Sequence, residues 1–264
     1  MKRDAHIHTP FCPNGTTIPC EDYIKKAIKL GYEDITFTEH APLPSNFVDF
    51  CPKEGRTMSP GRLLVYMDEM QRLKEKYKEL IHIRIGFEVD YLEDYERETT
   101  SFLNLIGPHI DDAMLTVRFL KCGQSYTCVD HSFDQLTSLA RKKDTLQSVY
   151  NLYYKTITKS IQSNLGNYKP KRISNPLLFP TDELQENLLF KQQLIDILKL
   201  IAKHNYELDV NYATLSKLYC NESHPTVSYI SYAKSLGIPI IHGSDAHHPD
   251  DLHPYEEGLF PFDR

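Results

Sequence analysis

Two histidines separated by one residue, His6-Ile7-His8, stand near the start of the chain in a short β-prone run. Alternate residues of a strand point to one face, so both imidazoles project together while Ile7 points away. That geometry offers two nitrogen ligands to one cation. An isolated H-x-H also occurs in tails and loops that hold no metal, so its weight depends on what accompanies it. Thr38-Glu39-His40 follows an apolar run and puts His40 at a strand end. Gly86-Phe87-Glu88-Val89-Asp90 sets a carboxylate among apolar neighbours, where burial is costly unless a cation or donor compensates it. Asp90 shares the Glu88 face by strand parity. Ile240 to His248 runs an apolar strand into a Gly-Ser turn with Asp245 and His247 two apart, an oxygen and a nitrogen donor for a hard or borderline cation.

These groups acquire meaning from the elements that must carry them. Short β-branched runs alternate with longer amphipathic ones, the pattern of a parallel sheet with helical crossovers. The strands expected are Arg3 to His8, Asp34 to Thr38, Ile81 to Glu88, Asp112 to Val117, a weak Arg172 to Ser174, Glu207 to Val210, and Ile238 to His242. Between them, helices are expected over Glu21 to Leu30, from Ser59-Pro60 onward, Glu93 to Leu105, Asp144 to Leu165, Gln185 to Lys203, and Thr226 to Leu236. Gly31 and Gly237 are suited to C-terminal caps, and Ser59-Pro60 to an N-cap followed by proline. No linker or repeat divides the alternation, so residues 1–264 read as one α/β domain closed as a distorted TIM-like (β/α)7 barrel. An open doubly wound sheet is the competing architecture. In a closed barrel His6, His8, His40, Glu88, Asp245 and His247 meet at the carboxyl ends of the strands, which implies a multinuclear metal site.

Composition limits the rest. The chain has 264 residues, 30 Lys+Arg against 36 Asp+Glu, no Trp and 12 His. Without a block of basic residues there is no footprint for a nucleic-acid backbone. No run approaches the roughly 18 apolar residues of a membrane span, and the first residues lack the apolar core of a signal peptide. The six cysteines have no metal-finger or disulfide-framework spacing. A cytoplasmic location is expected, with Cys12 and Cys20 as plain thiols. Bland roles suit His82 (the far side of its strand), His204 (a helix end), Tyr150, Tyr153 and Tyr154 (helix packing), and the solvated face KEKYKE.

The runs DAHIHTPFCPNG, TEHAPLP, GFEVDY and GSDAHHP, in this order, resemble the PHP superfamily, and within it the histidinol-phosphate phosphatase branch, over essentially the whole chain. The resemblance implies one to three zinc, iron or manganese ions and hydrolysis of L-histidinol phosphate, a small phosphate monoester, in histidine biosynthesis. It further implies that His6, His8, Glu88 and Asp245 hold a first metal, that Glu88 bridges to a second, and that His40 and His247 serve a third. Three positions depart from it: Asn14, Arg118 and Asn175 stand where relatives often carry His. Arginine has no acceptor and cannot ligate, so Arg118 is expected to occupy a vacated cation position and hold phosphate, with Arg172 as a second clamp. His131 is a candidate substitute ligand. Proton transfer to the leaving oxygen falls to Asp245, or to His40 or His247 where these hold no metal. The competing functions are a PHP phosphoesterase with another substrate, and a catalytically impaired phospho-metabolite binder with a partial metal site.

Overall fold

Seven parallel strands form one sheet in the order in which they occur in the chain, and the last returns to the first. In the computed structural model, residues 2–13, 15–49, 51, 57–129, 139–141, 145–174, 176, 188–211 and 227–252 are described. The strands are β1 (Arg3–Ile7), β2 (Asp34–His40), β3 (His82–Asp90), β4 (Asp112–Thr116), the hairpin strands β5 (Phe119–Cys122) and β6 (Ser125–Cys128), then β7 (Arg172–Ile173), β8 (Glu207–Asn211) and β9 (Ile240–Gly243). The helices are α1 (Cys20–Lys29), α2 (Leu63–Tyr77), α3 (Glu96–Ile106), α4 (Leu146–Gln162), α5 (Leu188–Lys203) and α6 (Val227–Ser235). Among the described residues no helix is long and apolar enough to cross a membrane.

Every neighbouring pair in the seven-stranded sheet is parallel. Its order never reverses, so it lacks the switch point of a doubly wound sheet. Closure occurs just beyond β9: Asp245 N donates to His6 O at 2.8 Å and His8 N to Ala246 O at 2.9 Å. Gly243 makes that approach possible, because a Cβ there would lie 2.2 Å from His6 Cβ. The architecture is the barrel expected from the alternation.

Strand parity divides the sheet into two chemical faces. Ile35, Phe37, Ile83, Ile85, Phe87, Leu208 and Val210 pack in one apolar cluster with Tyr66 and Met70 of α2, Tyr150 and Tyr153 of α4, and Leu194 and Leu198 of α5. The alternating positions are polar and nonetheless buried: Asp4, His6, Thr36, Thr38, Glu88, Asp90 and Asp209. Helix burial therefore supplies the hydrophobic stabilisation and leaves the barrel interior for charge. At β1 the register against β2 shifts between Asp4 and Ile7, an extra residue of the bulge type. The Asp4 carboxylate accepts the His6 N–H there at 3.1 Å, so a side chain satisfies a group displaced from the ladder.

Several details differ from the sequence reading. β2 reaches His40 and β3 reaches Asp90, so both side chains are held by ladder structure. The β5–β6 hairpin, turning at Gly123-Gln124, follows β4 where only a loop was expected. α3 starts at Glu96, because Asp94 takes a φ of 71° and breaks the helical path before it. Cys51 and Cys128 form a disulfide across 77 positions, a single bridge where no disulfide framework was expected. One long-range bridge leaves no spacing signature of the kind a disulfide framework does. His82 pairs with Asp34 at 2.9 Å, and Tyr150, Tyr153 and Tyr154 are buried in packing. Asn14, His131, Asn175 and the expected helix starts at Asp144, Gln185 and Thr226 lie outside the described residues.

Candidate metal centre

The barrel mouth gathers the strand-end donors into one buried cluster, with His6, His8 and Glu88 each at most 2% exposed and His40 at 5%. His6 Nε2 lies 3.2 Å from His8 Nε2, and these nitrogens lie 3.4 and 3.2 Å from Asp245 Oδ1. Glu88 Oε2 stands 3.8 and 3.7 Å from the same two nitrogens. A tetrahedral cation with nitrogen and oxygen ligands at about 2.0–2.1 Å separates its ligand atoms by about 3.3–3.4 Å. His6, His8 and Asp245 therefore already have nearly the edge lengths of a zinc-sized coordination shell, and Glu88 stands slightly farther out. Two nitrogens facing each other and two carboxylates is also a donor set that carries no cation of its own, and it fits zinc, iron or manganese.

The imidazoles do not find this orientation unaided. His6 Nδ1 pairs with Asp209 Oδ2 at 2.9 Å and His8 Nδ1 with Glu39 Oε1 at 3.4 Å, while His247 Nδ1 meets Asp245 O at 3.0 Å. An acceptor at Nδ1 fixes the proton there and turns the Nε2 lone pair toward the cavity. Glu39 is itself held by Thr9 N at 2.9 Å and His40 N at 2.8 Å. Asn211 Nδ2 donates to Asp245 Oδ2 at 2.8 Å, leaving Oδ1 for His6 and His8. Asp245 adopts a φ of 55°, a strained value for a non-glycine residue, held by its backbone bond to His6 O.

Electrostatics shows the same demand for a cation. Burial alone would lower the His6 imidazole, but Asp209, Asp245 and Glu88 outweigh it and raise its pKa. His8 is likewise raised well above its ordinary value, with Asp245 and Glu39 overcoming burial. Asp245 is driven below the usual carboxylate range, as His6, His8 and His247 overcome its burial. His40 behaves oppositely: burial, then the Arg118 charge, pushes it well below its ordinary value. With no metal bound the surrounding carboxylates favour positive charge on His6 and His8, the charge that a cation held by their Nε2 atoms would supply instead, whereas His40 favours its neutral form.

Sequence reasoning placed all six of His6, His8, His40, Glu88, Asp245 and His247 at the mouth, and the structure brings them together. Two partners it missed are Glu39 and Asp209. The available signal was a carboxylate inside a strand run, in TFTEH and ELDVN. Arg118 is buried and paired with Asp90, with Nε donating to Oδ1 at 2.9 Å and a second, shorter contact to Oδ2. Arg172 is the residue expected as a second phosphate clamp. Its guanidinium is 1% exposed inside the barrel, donating to Ala5 O at 2.9 Å and lying 3.3 Å from Asp209 and 3.1 Å from Asp112. It is hydrogen-bonded to Ala5 O and Asp112 and ion-paired with Asp209, the carboxylate behind His6. Cys12, expected to be a bystander thiol, lies with His8, His40 and His247.

The PHP domain family model matches residues 4–213. The histidinol-phosphatase of Bacillus subtilis (strain 168) is 39% identical over 98% of both chains. A crystal structure of a Listeria monocytogenes protein assigned as a histidinol phosphatase superposes with a TM-score of 0.87 at 32% identity, covering 99% of this chain and 100% of that one. The histidinol phosphate phosphatase of Lactococcus lactis subsp. lactis, solved with zinc, L-histidinol and phosphate, gives a TM-score of 0.70 at 22% identity, over 94% of this chain and 87% of that one.

Proposed function

The chain belongs to the PHP domain family, and on that premise we propose that it is a metal-dependent phosphomonoesterase hydrolysing L-histidinol phosphate to L-histidinol and phosphate, a reaction of histidine biosynthesis. The observation that carries the reading is the close set of His6, His8 and Asp245 with Glu88 beside it at the mouth, in a chain alike over its full length to a histidinol-phosphatase. Residues 1–264 act as one phosphoesterase domain in the cytoplasm.

His6, His8, Glu88 and Asp245 would hold a zinc, iron or manganese ion, which would supply Lewis acidity for ionising the attacking water and neutralising phosphoryl charge. The protein's own part is placement, since phosphoryl transfer depends on in-line geometry and charge compensation more than on covalent help. Asp209 and Glu39 keep the Nε2 lone pairs of His6 and His8 pointed into the cavity. Asp90 holds the Arg118 guanidinium as a permanent charge near His40, where it faces non-bridging phosphoryl oxygens. Asp245 is held ionised, which suits a metal ligand and not the proton donor to the leaving oxygen. The departing alkoxide takes its proton from water at the rim, and His40 and His247 carry protons only when they hold no cation.

Substrate choice tests this reading against its rivals. Zinc-loaded full-length protein should turn over L-histidinol phosphate faster than nucleoside monophosphates or phosphorylated oligonucleotide ends. Preference for a nucleotide would move the assignment to another phosphoesterase, and binding of L-histidinol phosphate without turnover would leave a phospho-metabolite binder.

A further inference from the structure

Beside the first ligand set lies a second group of donors that includes a cysteine. Cys12, His40 and His247, with His8 between the two groups, each place one ligand atom within 4.8 Å of all the others. A tight turn after β1 brings Cys12 back over the mouth: Cys12 N donates to Thr9 O and Gly15 N to Cys12 O, both at 3.0 Å. Only glycine fits at position 15, because a Cβ would lie 2.5 Å from Thr9 O. Cys12 is 3% exposed, and among the described residues it forms no disulfide. Buried cysteines usually act as small apolar side chains. Cys20 does so, packed in the main apolar cluster, whereas Cys12 is absent from that cluster and faces imidazoles.

A second observation at the same place concerns His40. Its Nδ1 makes no hydrogen bond among the described residues, yet Glu88 Oε2 lies 3.0 Å away. A buried ring nitrogen and a carboxylate oxygen that stand this close without a hydrogen bond between them are placed to share a cation. His8 Nε2 is already 3.2 Å from both His6 Nε2 and Asp245 Oδ1 and belongs to the first set. That leaves Cys12, His40 and His247 to a neighbouring ion. The His8 and His247 rings stack at 4.1 Å, so the two ligand sets lie against each other.

We propose that Cys12 is a metal ligand, which with His40 and His247 forms a thiolate and two-imidazole site for a second, borderline-soft cation such as zinc or ferrous iron. The proposal deepens the phosphatase reading and shares its cavity. A thiolate favours zinc or ferrous iron over magnesium, calcium or manganese, so this position is selective where the first set is permissive. On ligation the thiol gives up its proton to solvent.

Cobalt(II) substitution in the full-length protein tests it. The expected result is two cobalt ions per chain with a thiolate-to-cobalt charge-transfer band in the near ultraviolet. Cys12→Ser should lose the band and one ion, and Cys20→Ser should keep both. A band or metal count unchanged in Cys12→Ser overturns the proposal. Should Cys12→Ser fold poorly, mass-mapped iodoacetamide labelling of the wild-type protein decides. Zinc should block alkylation at Cys12 and a chelator restore it; equal labelling in both states overturns the proposal. Phosphate release measured on the same samples separates the two ideas. Turnover without the band removes only the cysteine ligand, and the band without turnover removes only the phosphatase reading.

Discussion

His6 and His8, at the end of β1 and just beyond it, are each backed by a carboxylate, and this arrangement makes the first prediction. Asp209→Asn should weaken metal binding by about 10–100-fold, the usual effect of losing the acceptor behind a metal-ligating histidine, as read by competition with a chromogenic chelator. Unchanged affinity would mean that His6 is held by packing alone. The Arg118–Asp90 pair makes a second. Arg118→Met strands a buried carboxylate and should cost about 3–5 kcal/mol in urea unfolding, while the double change Arg118→Met with Asp90→Leu should recover most of it. The ligands themselves were legible because strand parity and strand ends are local properties: His6 and His8 are two apart, and His40, Glu88 and Asp245 end or follow strands. Their partners were not, because Asp209 is 203 positions from His6 and only barrel closure decides which inner carboxylate meets which ring. The surroundings of Arg172 were hidden for the same reason. Nothing near it in sequence shows that Asp112 and Asp209 will occupy its donors.

Among the elements, the junction of β9 with β1 controls the site, since Asp245 and His6 exchange contacts across it. Gly243→Ala would drive a methyl group into His6 Cβ. It should destabilise the fold by about 1–3 kcal/mol or more, as overpacking does, and lower metal content with it. Thermal unfolding and metal analysis of the variant check both effects, and a variant with wild-type stability and full metal would show that closure does not set the site. Strands and helices were legible from periodicity, including the two-residue β7, because apolar alternation is imposed by the helices covering the barrel. The β5–β6 hairpin was less so. It pairs only with itself, so FLKC and SYTC carry only weak alternation, and its packing against Phe47 and Leu92 is long-range.

For the whole molecule, the polar barrel interior concentrates negative charge around His6 and His8, and a bound cation compensates it. Zinc should therefore stabilise the folded state, by about 2.7 kcal/mol at a free concentration one hundred times Kd, and a chelator should lower the melting temperature reversibly. A melting temperature indifferent to zinc and chelator would contradict a site built for metal. Closure of seven βα units was legible from chain length and alternation; the identity of the reaction came from the resemblance and the full-length likeness, since the same barrel mouth serves many chemistries. The most direct test of that reaction is phosphate release from L-histidinol phosphate by metal-free protein, zinc-loaded protein and zinc-loaded His8→Ala. Turnover confined to the zinc-loaded wild-type chain is the predicted result. Equal release by the metal-free protein, or by His8→Ala, would contradict it.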